Sequence, residues 1–92
     1  MITHVAIIYR ENDSHRGKLY ALPKPNRHHH VLKLIHEDGV EWIGYCWQGF
    51  LDHTGKFIGR QEAVKIATRA GQIGIIRPKT SPKHLLFSED VW

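Results

Sequence analysis

Three adjacent histidines, His28, His29 and His30, follow Asn26 and Arg27 in the segment Asn-Arg-His-His-His. Imidazole suits general acid–base work near neutral pH, and it is also a common metal ligand. Asn is a favoured helix N-cap, and helical spacing follows it from Arg27 to Asp38. A helix start presents unpaired backbone N–H groups and the positive end of the helix dipole. Arg27 and three imidazoles placed there would make an anion-favouring spot from one short segment. The plainer alternative is a set of solvated polar residues on a surface turn.

Arg60 is the second residue with chemistry to offer. In Phe57-Ile58-Gly59-Arg60-Gln61-Glu62 it falls in the first turn of a second helix, where the dipole disfavours a cation. Its planar fork suits phosphate or carboxylate. It can pair with Glu89 or Asp90 near the end of the sequence, or clamp a phosphate beside the histidines. The two carboxylates can in turn hold Arg60, bind ribose hydroxyls, or stay solvated. The candidate ligand-binding set is therefore His28, His29, His30, Arg60, Glu89 and Asp90, with His29 and His30 the candidate acid–base residues if a ligand is turned over.

Other chemistries have less support. The remaining histidines are His4, His15, His36, His53 and His84, and Cys46 is the single cysteine. No His pair has i,i+4 helical spacing and Cys46 has no Cys partner, so a zinc site would need scattered His and Asp ligands. There is no dinucleotide-binding glycine motif, no phosphate loop with Gly-Lys-Ser/Thr and no nucleophile elbow. No cofactor is expected. Tyr9, Tyr45 and Trp47 are aromatics on which a base could stack.

The elements that must position these residues can be read from spacing. Ile2 to Tyr9 is an apolar, β-branched run and predicts a buried strand. Arg10 to Gly17 predicts a loop, and Leu19 to Leu22 a short strand before Pro23-Lys24-Pro25. In the first helix Val31, Leu34, Ile35 and Asp38 share one side, and Gly39 is a natural stop. Glu41 to Ile43 and Tyr45 to Leu51 predict strands interrupted by Gly44. Asp52-His53-Thr54-Gly55 is a turn signature that returns Lys56 to Ile58 as a hairpin partner. The second helix is predicted over Arg60 to Ala70, with Ala63, Ile66, Ala67 and Ala70 on one face. Ile73 to Ile76 predicts one more strand. The sum is a single α+β domain over residues 1–92, two helices packed on a mostly antiparallel sheet.

Bulk composition bounds the partners. The chain has 92 residues, a formal charge of +4 and three Trp. A mild positive balance fits an anionic partner, although the Lys and Arg residues form no dense run. One Cys excludes an intrachain disulfide and fits a reducing compartment. No stretch approaches the ~20 apolar residues of a membrane span, and Met1-Ile2-Thr3-His4 lacks a signal-peptide layout. The expected location is the cytoplasm of a host cell, away from membranes. A short chain with three Trp leaves apolar area to cover, so a homodimer is expected. Free Cys46, between Tyr45 and Trp47, reads as a core residue.

Several motifs carry a resemblance. His-His at a helix start, Gln48-Gly49-Phe50, Gly55-Lys56-Phe57-Ile58-Gly59-Arg60-Gln61-Glu62-Ala63, Ala70-Gly71-Gln72 and Leu86-Phe87-Ser88-Glu89-Asp90-Val91-Trp92 together resemble a group of small proteins encoded by phages and prophages. The resemblance covers most of the chain from His28 onward. It implies a phage accessory role, with action against host defence as an analogy. The leading expectation is a protein that binds and sequesters a small phosphate-bearing nucleotide. The alternatives are a metal-independent phosphodiesterase using the same histidines, and an inhibitor that binds a host protein.

Overall fold

Strand β1 (Ile2–Glu11) lies inside a four-stranded sheet, flanked by β2 (Gly17–Pro23) and β3 (Gly44–Asp52), with the short β4 (Phe57–Gly59) outside β3. Every neighbouring pair is antiparallel. Helix α1 (His28–Glu37) connects β2 to β3, and α2 (Arg60–Arg69) follows β4 without a break. A 3-10 turn forms at Ser88–Asp90. The structure, a computed structural model, describes residues 1–11, 17–39 and 44–92. The expected strand over Glu41–Ile43, with Trp42, lies outside the described residues, as does His15. No helix among the described residues is long and apolar enough to cross a membrane.

Directly opposed residues on antiparallel strands point to the same face. One face carries Val5, Ile7 and Tyr9 of β1, with Phe50 and Ile58 opposite Val5 and in register with each other. These residues are buried with Val31 and Ile35 of α1 and Ala63 and Ala67 of α2, so both helices cover the same side. α1 lies over β1 and β2, and α2 chiefly over β3 and β4. The spacing Val31/Ile35 and Ala63/Ala67 is i,i+4, one stripe of each helix. The two alanines let α2 approach the sheet closely. This is the predicted α+β architecture.

The helix boundaries differ slightly from the spacing. α1 is capped at Arg27, one residue after Asn26. The Asn26 side-chain amide donates to the Pro23 carbonyl at 2.9 Å and so serves the turn after β2. The His30 Nδ1 accepts the Arg27 backbone N–H at 2.9 Å, an imidazole in the role a Glu or Gln fills in a capping box. At the other end, Lys18 and Tyr20 of β2 both donate to Asp38 Oδ2, at 2.7 and 2.5 Å, tying α1 to the sheet.

The strand expected over Ile73–Ile76 does not form. Gly71 and Gly74 adopt φ of +69° and +82°, turning the chain twice within four residues. Gln72 then takes the backbone of Ile2, accepting from its N–H at 2.7 Å and donating to its carbonyl at 2.9 Å. Ile75 and Ile76 are left exposed.

On the opposite face of the sheet, Arg10 pairs with Gly17 and Tyr45 in the end row, and three rows follow it. Leu19, Ile8 and Trp47 form the first, Ala21, Ala6 and Gly49 the second, and Pro23, His4, Leu51 and Phe57 the third. Gly49 occupies a position that tolerates no side chain. A Cβ there would lie 2.3 Å from the Ile58 carbonyl oxygen and 2.6 Å from the Phe57 ring. Gly49→Ala must therefore push β4 away from β3. We expect it to lower unfolding free energy by about 2 kcal/mol or more, as overpacking against a backbone atom does. Urea denaturation of the variant beside the parent chain measures this, and equal midpoints would refute it.

Candidate functional site

Both helix starts border Gly49. His28, the first residue of α1, is buried, and its Nε2 lies 2.7 Å from the Gly49 carbonyl. Gly59, the residue capping α2, is the cross-strand partner of Gly49. The two positive dipole ends are thus set around one strand position. Neither Arg27 nor Gly59 supplies a side-chain oxygen to cap its helix.

His28 is fixed on every side. A carbonyl accepts, so Nε2 carries a proton and donates it. The ring stands edge-on to Phe50 with centroids 5.0 Å apart. Burial is the main reason its pKa falls to about 4; the Gly49 hydrogen bond and the charge of Glu89 oppose the fall, and the charge of Arg60 adds to it. Such a ring organises the site; a freely titrating imidazole at neutral pH it is not. His29 and His30 are exposed, with ring centroids 4.0 Å apart and planes tilted by 42°. His30 has spent Nδ1 on the cap of its own helix.

Arg60 is half-buried and held by neutral acceptors. One terminal nitrogen donates to the Leu86 carbonyl at 2.7 Å and the other to Gln48 Oε1. The Leu86 N–H returns a bond to the Arg60 carbonyl at 3.0 Å. The guanidinium carbon sits 4.7 Å from the centre of the Phe87 ring. Burial lowers its pKa, and the charges of Glu89 and Asp90 work the other way. Arg nonetheless remains charged. Among the described residues Arg60 makes no ion pair with either carboxylate.

The carboxylates go elsewhere. Glu89 is exposed and lies 3.9 Å from Arg27, which also donates to the Trp92 carbonyl at 2.7 Å. Asp90 is buried and saturated. It pairs with Lys79 at 3.0 Å and accepts from the Thr80 amide, the Thr80 hydroxyl and the Phe87 amide at 2.8 to 2.9 Å. Burial opposes its charge, but the Thr80 and Phe87 amides, Lys79 and the Thr80 hydroxyl outweigh it and hold its pKa below the usual value. Lys79 is further tied to the carbonyls of Thr80 and Leu85, at 2.7 and 2.8 Å. Trp92 packs against Phe50 and donates its indole N–H to the Asn26 carbonyl at 2.7 Å. The segment from Leu86 to Trp92 thus lies across both helix starts.

Of the six residues singled out from sequence, the charges of Arg60 and Glu89 both act on His28, with no direct contact among the three. His29 and His30 sit beside them on the exposed start of α1. Asp90 faces inward to Lys79 and Thr80. Sequence reading missed Gln48, Lys79 and the connection of Arg27 to the last residues. Gln48, in the Gln-Gly-Phe motif, and Arg27 and the last residues stood in segments already noted; what local spacing did not give was that they meet. Burial raises the Cys46 pKa, which disfavours a reactive thiolate. Among the described residues no three His, Cys, Asp or Glu side chains gather closely enough to hold a metal ion.

The His28 environment sets a pH dependence. In the unfolded chain an imidazole titrates near 6.5, and in the folded protein His28 titrates near 4. Between these values the unfolded state binds more protons, so stability falls as pH drops from about 6.5 to about 4 and the loss then levels off. The full difference corresponds to about 3 kcal/mol. Asp90 acts in the same direction at lower pH, its stabilisation present above the unfolded carboxylate pKa and lost below it. Urea titrations at several pH values should show this loss, and His28→Phe should flatten the limb between pH 6.5 and 4. Parallel curves for the two proteins would contradict the assignment.

Comparison with known proteins places the chain. No curated protein sequence and no solved structure matches it. One family model, described as Phage T4 y16D protein, matches residues 1–92. The match spans the sheet, both helix starts and the strap of residues across them, and the chain belongs to the phage T4 y16D protein family.

Proposed function

We propose that this phage protein binds a small phosphate-bearing nucleotide at the junction of the two helix starts and holds it without turnover. The supporting observation is Arg60. A half-buried guanidinium, oriented by the Leu86 carbonyl and Gln48 and stacked on Phe87, keeps its positive charge without a contact carboxylate. Its position at the first turn of α2 adds the helix dipole to that charge and leaves an anion as the natural complement. In this reading the free N–H groups of Arg60 and the exposed His29 ring take phosphate. Glu89, half exposed, takes ribose hydroxyls. His28 holds the junction together through Gly49, and His30 secures the helix cap. Sequestering a host nucleotide signal is the accessory role this chemistry would serve.

A second reading rests on the His29–His30 pair, whose rings stand 4.0 Å apart on the solvent side of α1. A phosphodiesterase would use one imidazole as base and the other as acid.

A thermal-shift panel of cyclic and linear nucleotides, with each hit recovered and chromatographed, separates the two. Binding predicts a stabilising nucleotide recovered intact; hydrolysis predicts an altered one, formed in the presence of chelator and lost in His29→Ala. Arg60→Ala should weaken binding by at least ~2 kcal/mol, the scale of a lost charged hydrogen bond. His29→Ala removes only an exposed ring that rests on His30 and should weaken it about tenfold, near 1.4 kcal/mol. Unchanged affinity in both variants, or no stabilising nucleotide, refutes the reading.

A further inference from the structure

We infer, resting on the nucleotide reading above, that Gln48 and Arg60 act as one unit that selects a terminal phosphate, a phosphomonoester, over a cyclic or internal phosphodiester. The first observation is where Gln48 stands. It pairs with Ile7 across β1 and β3, so its side chain rises from the helix side of the sheet. Ile7 is fully buried there, yet Gln48 is exposed. The helix side therefore meets solvent at this point of β3, one residue from the Gly49 carbonyl that holds His28.

The second observation is the orientation of the Gln48 amide. Its Oε1 accepts from a terminal nitrogen of Arg60. A guanidinium carries donors only, so it dictates which end of the amide faces it. The oxygen of Gln48 is committed to Arg60, and the NH2 group on the same amide carbon is left beside the guanidinium. Among the described residues that NH2 group has no hydrogen-bond partner.

The third observation is the number of donors still free. Of the five N–H groups of a guanidinium, Arg60 spends one on the Leu86 carbonyl and one on Gln48. The other three stand next to the two of the Gln48 amide. The Phe87 ring supports the guanidinium at 4.7 Å and offers it no competing carboxylate. Two planar donor groups side by side, with no free acceptor between them, match a group that only accepts. A phosphomonoester brings three terminal oxygens and a charge of about −1.5 to −2. A diester has one such oxygen fewer and a single charge. Gln48 thus orients Arg60 without cancelling its charge and adds donors to it. A carboxylate in its place would accept the same bond and neutralise the guanidinium.

Equilibrium dialysis of the full chain tests this, with a linear nucleoside monophosphate and the cyclic monophosphate of the same base, for each common base. The linear form should bind at least about tenfold tighter. Gln48→Glu keeps a bond to Arg60 but loses the amide donors. It should unfold at or above the parent temperature and bind the linear form at least about tenfold more weakly. Gln48→Leu leaves the charge of Arg60 in place and should shrink the preference for the linear form at least about threefold. Linear and cyclic forms bound equally by the parent chain overturn the assignment, as does parent-like affinity in Gln48→Glu. Inorganic phosphate, followed by broadening of its phosphorus resonance, separates this unit from the nucleotide reading. Broadening by the parent chain that Gln48→Glu abolishes, with no nucleotide bound, upholds the unit and refutes the nucleotide. Nucleotides bound without preference refute the unit alone, and binding of neither phosphate nor nucleotide refutes both.

Discussion

The hydrogen bond between the buried His28 ring and the Gly49 carbonyl joins the start of α1 to the middle of β3, and the site depends on it. Gly49 meets that ring through its backbone carbonyl, at a position with no room for a side chain. The Ile58 carbonyl and the Phe57 ring occupy the space a Cβ would take. The same residue faces Gly59, where β4 ends and α2 begins. One strand position therefore fixes where both helices start, and with them the two positive dipole ends. Burying an imidazole is unfavourable for its charged form, so the junction is held by a neutral ring.

Around that junction the charges sort by burial. Asp90 is deeply buried and saturated, with Lys79 as its ion partner. Removing either would leave an uncompensated charge inside, so this pair is a condition of the fold of residues 79 to 90. Arg27 reaches exposed Glu89 only loosely and instead secures the Trp92 carbonyl. Arg60 alone of these three cations has no carboxylate in contact among the described residues, and neutral oxygens and the Phe87 ring hold it. Neutral acceptors orient a guanidinium without cancelling its field. That separates a positioned cation from a neutralised one, and it gives Arg60 a different character from Lys79 a short distance along the same segment.

The sheet meets two different environments. Its helix side is filled by Val5, Ile7, Phe50 and Ile58 with the alanine and valine stripes of the helices. Its other side presents Leu19, Ile8 and Trp47 with small residues beside them. Ala6, in the row behind them, is fully buried.

Much of the architecture was legible in residue spacing because it depends on local periodicity. β-branched runs, the Asp-His-Thr-Gly turn and the i,i+4 stripes of Val31/Ile35 and Ala63/Ala67 determined the α+β class and placed both helices within a residue or two. The strand expected over Ile73–Ile76 failed because Gly71 and Gly74 turn the chain and Gln72 takes the Ile2 backbone, a contact between residues 70 apart that no local pattern encodes. The sequence by itself determined that His28, His29, His30 and Arg60 would sit at helix starts. Only the tertiary structure decided their separate situations. His28 turned inward because Gly49 offered a carbonyl. His30 capped its own helix. Asp90 went to Lys79 and Thr80, leaving Arg60 without a carboxylate in contact. Partner choice among charged groups is a matter of distance and burial across the fold, and those exist only once the sheet has brought residues 27, 49, 60 and 90 together.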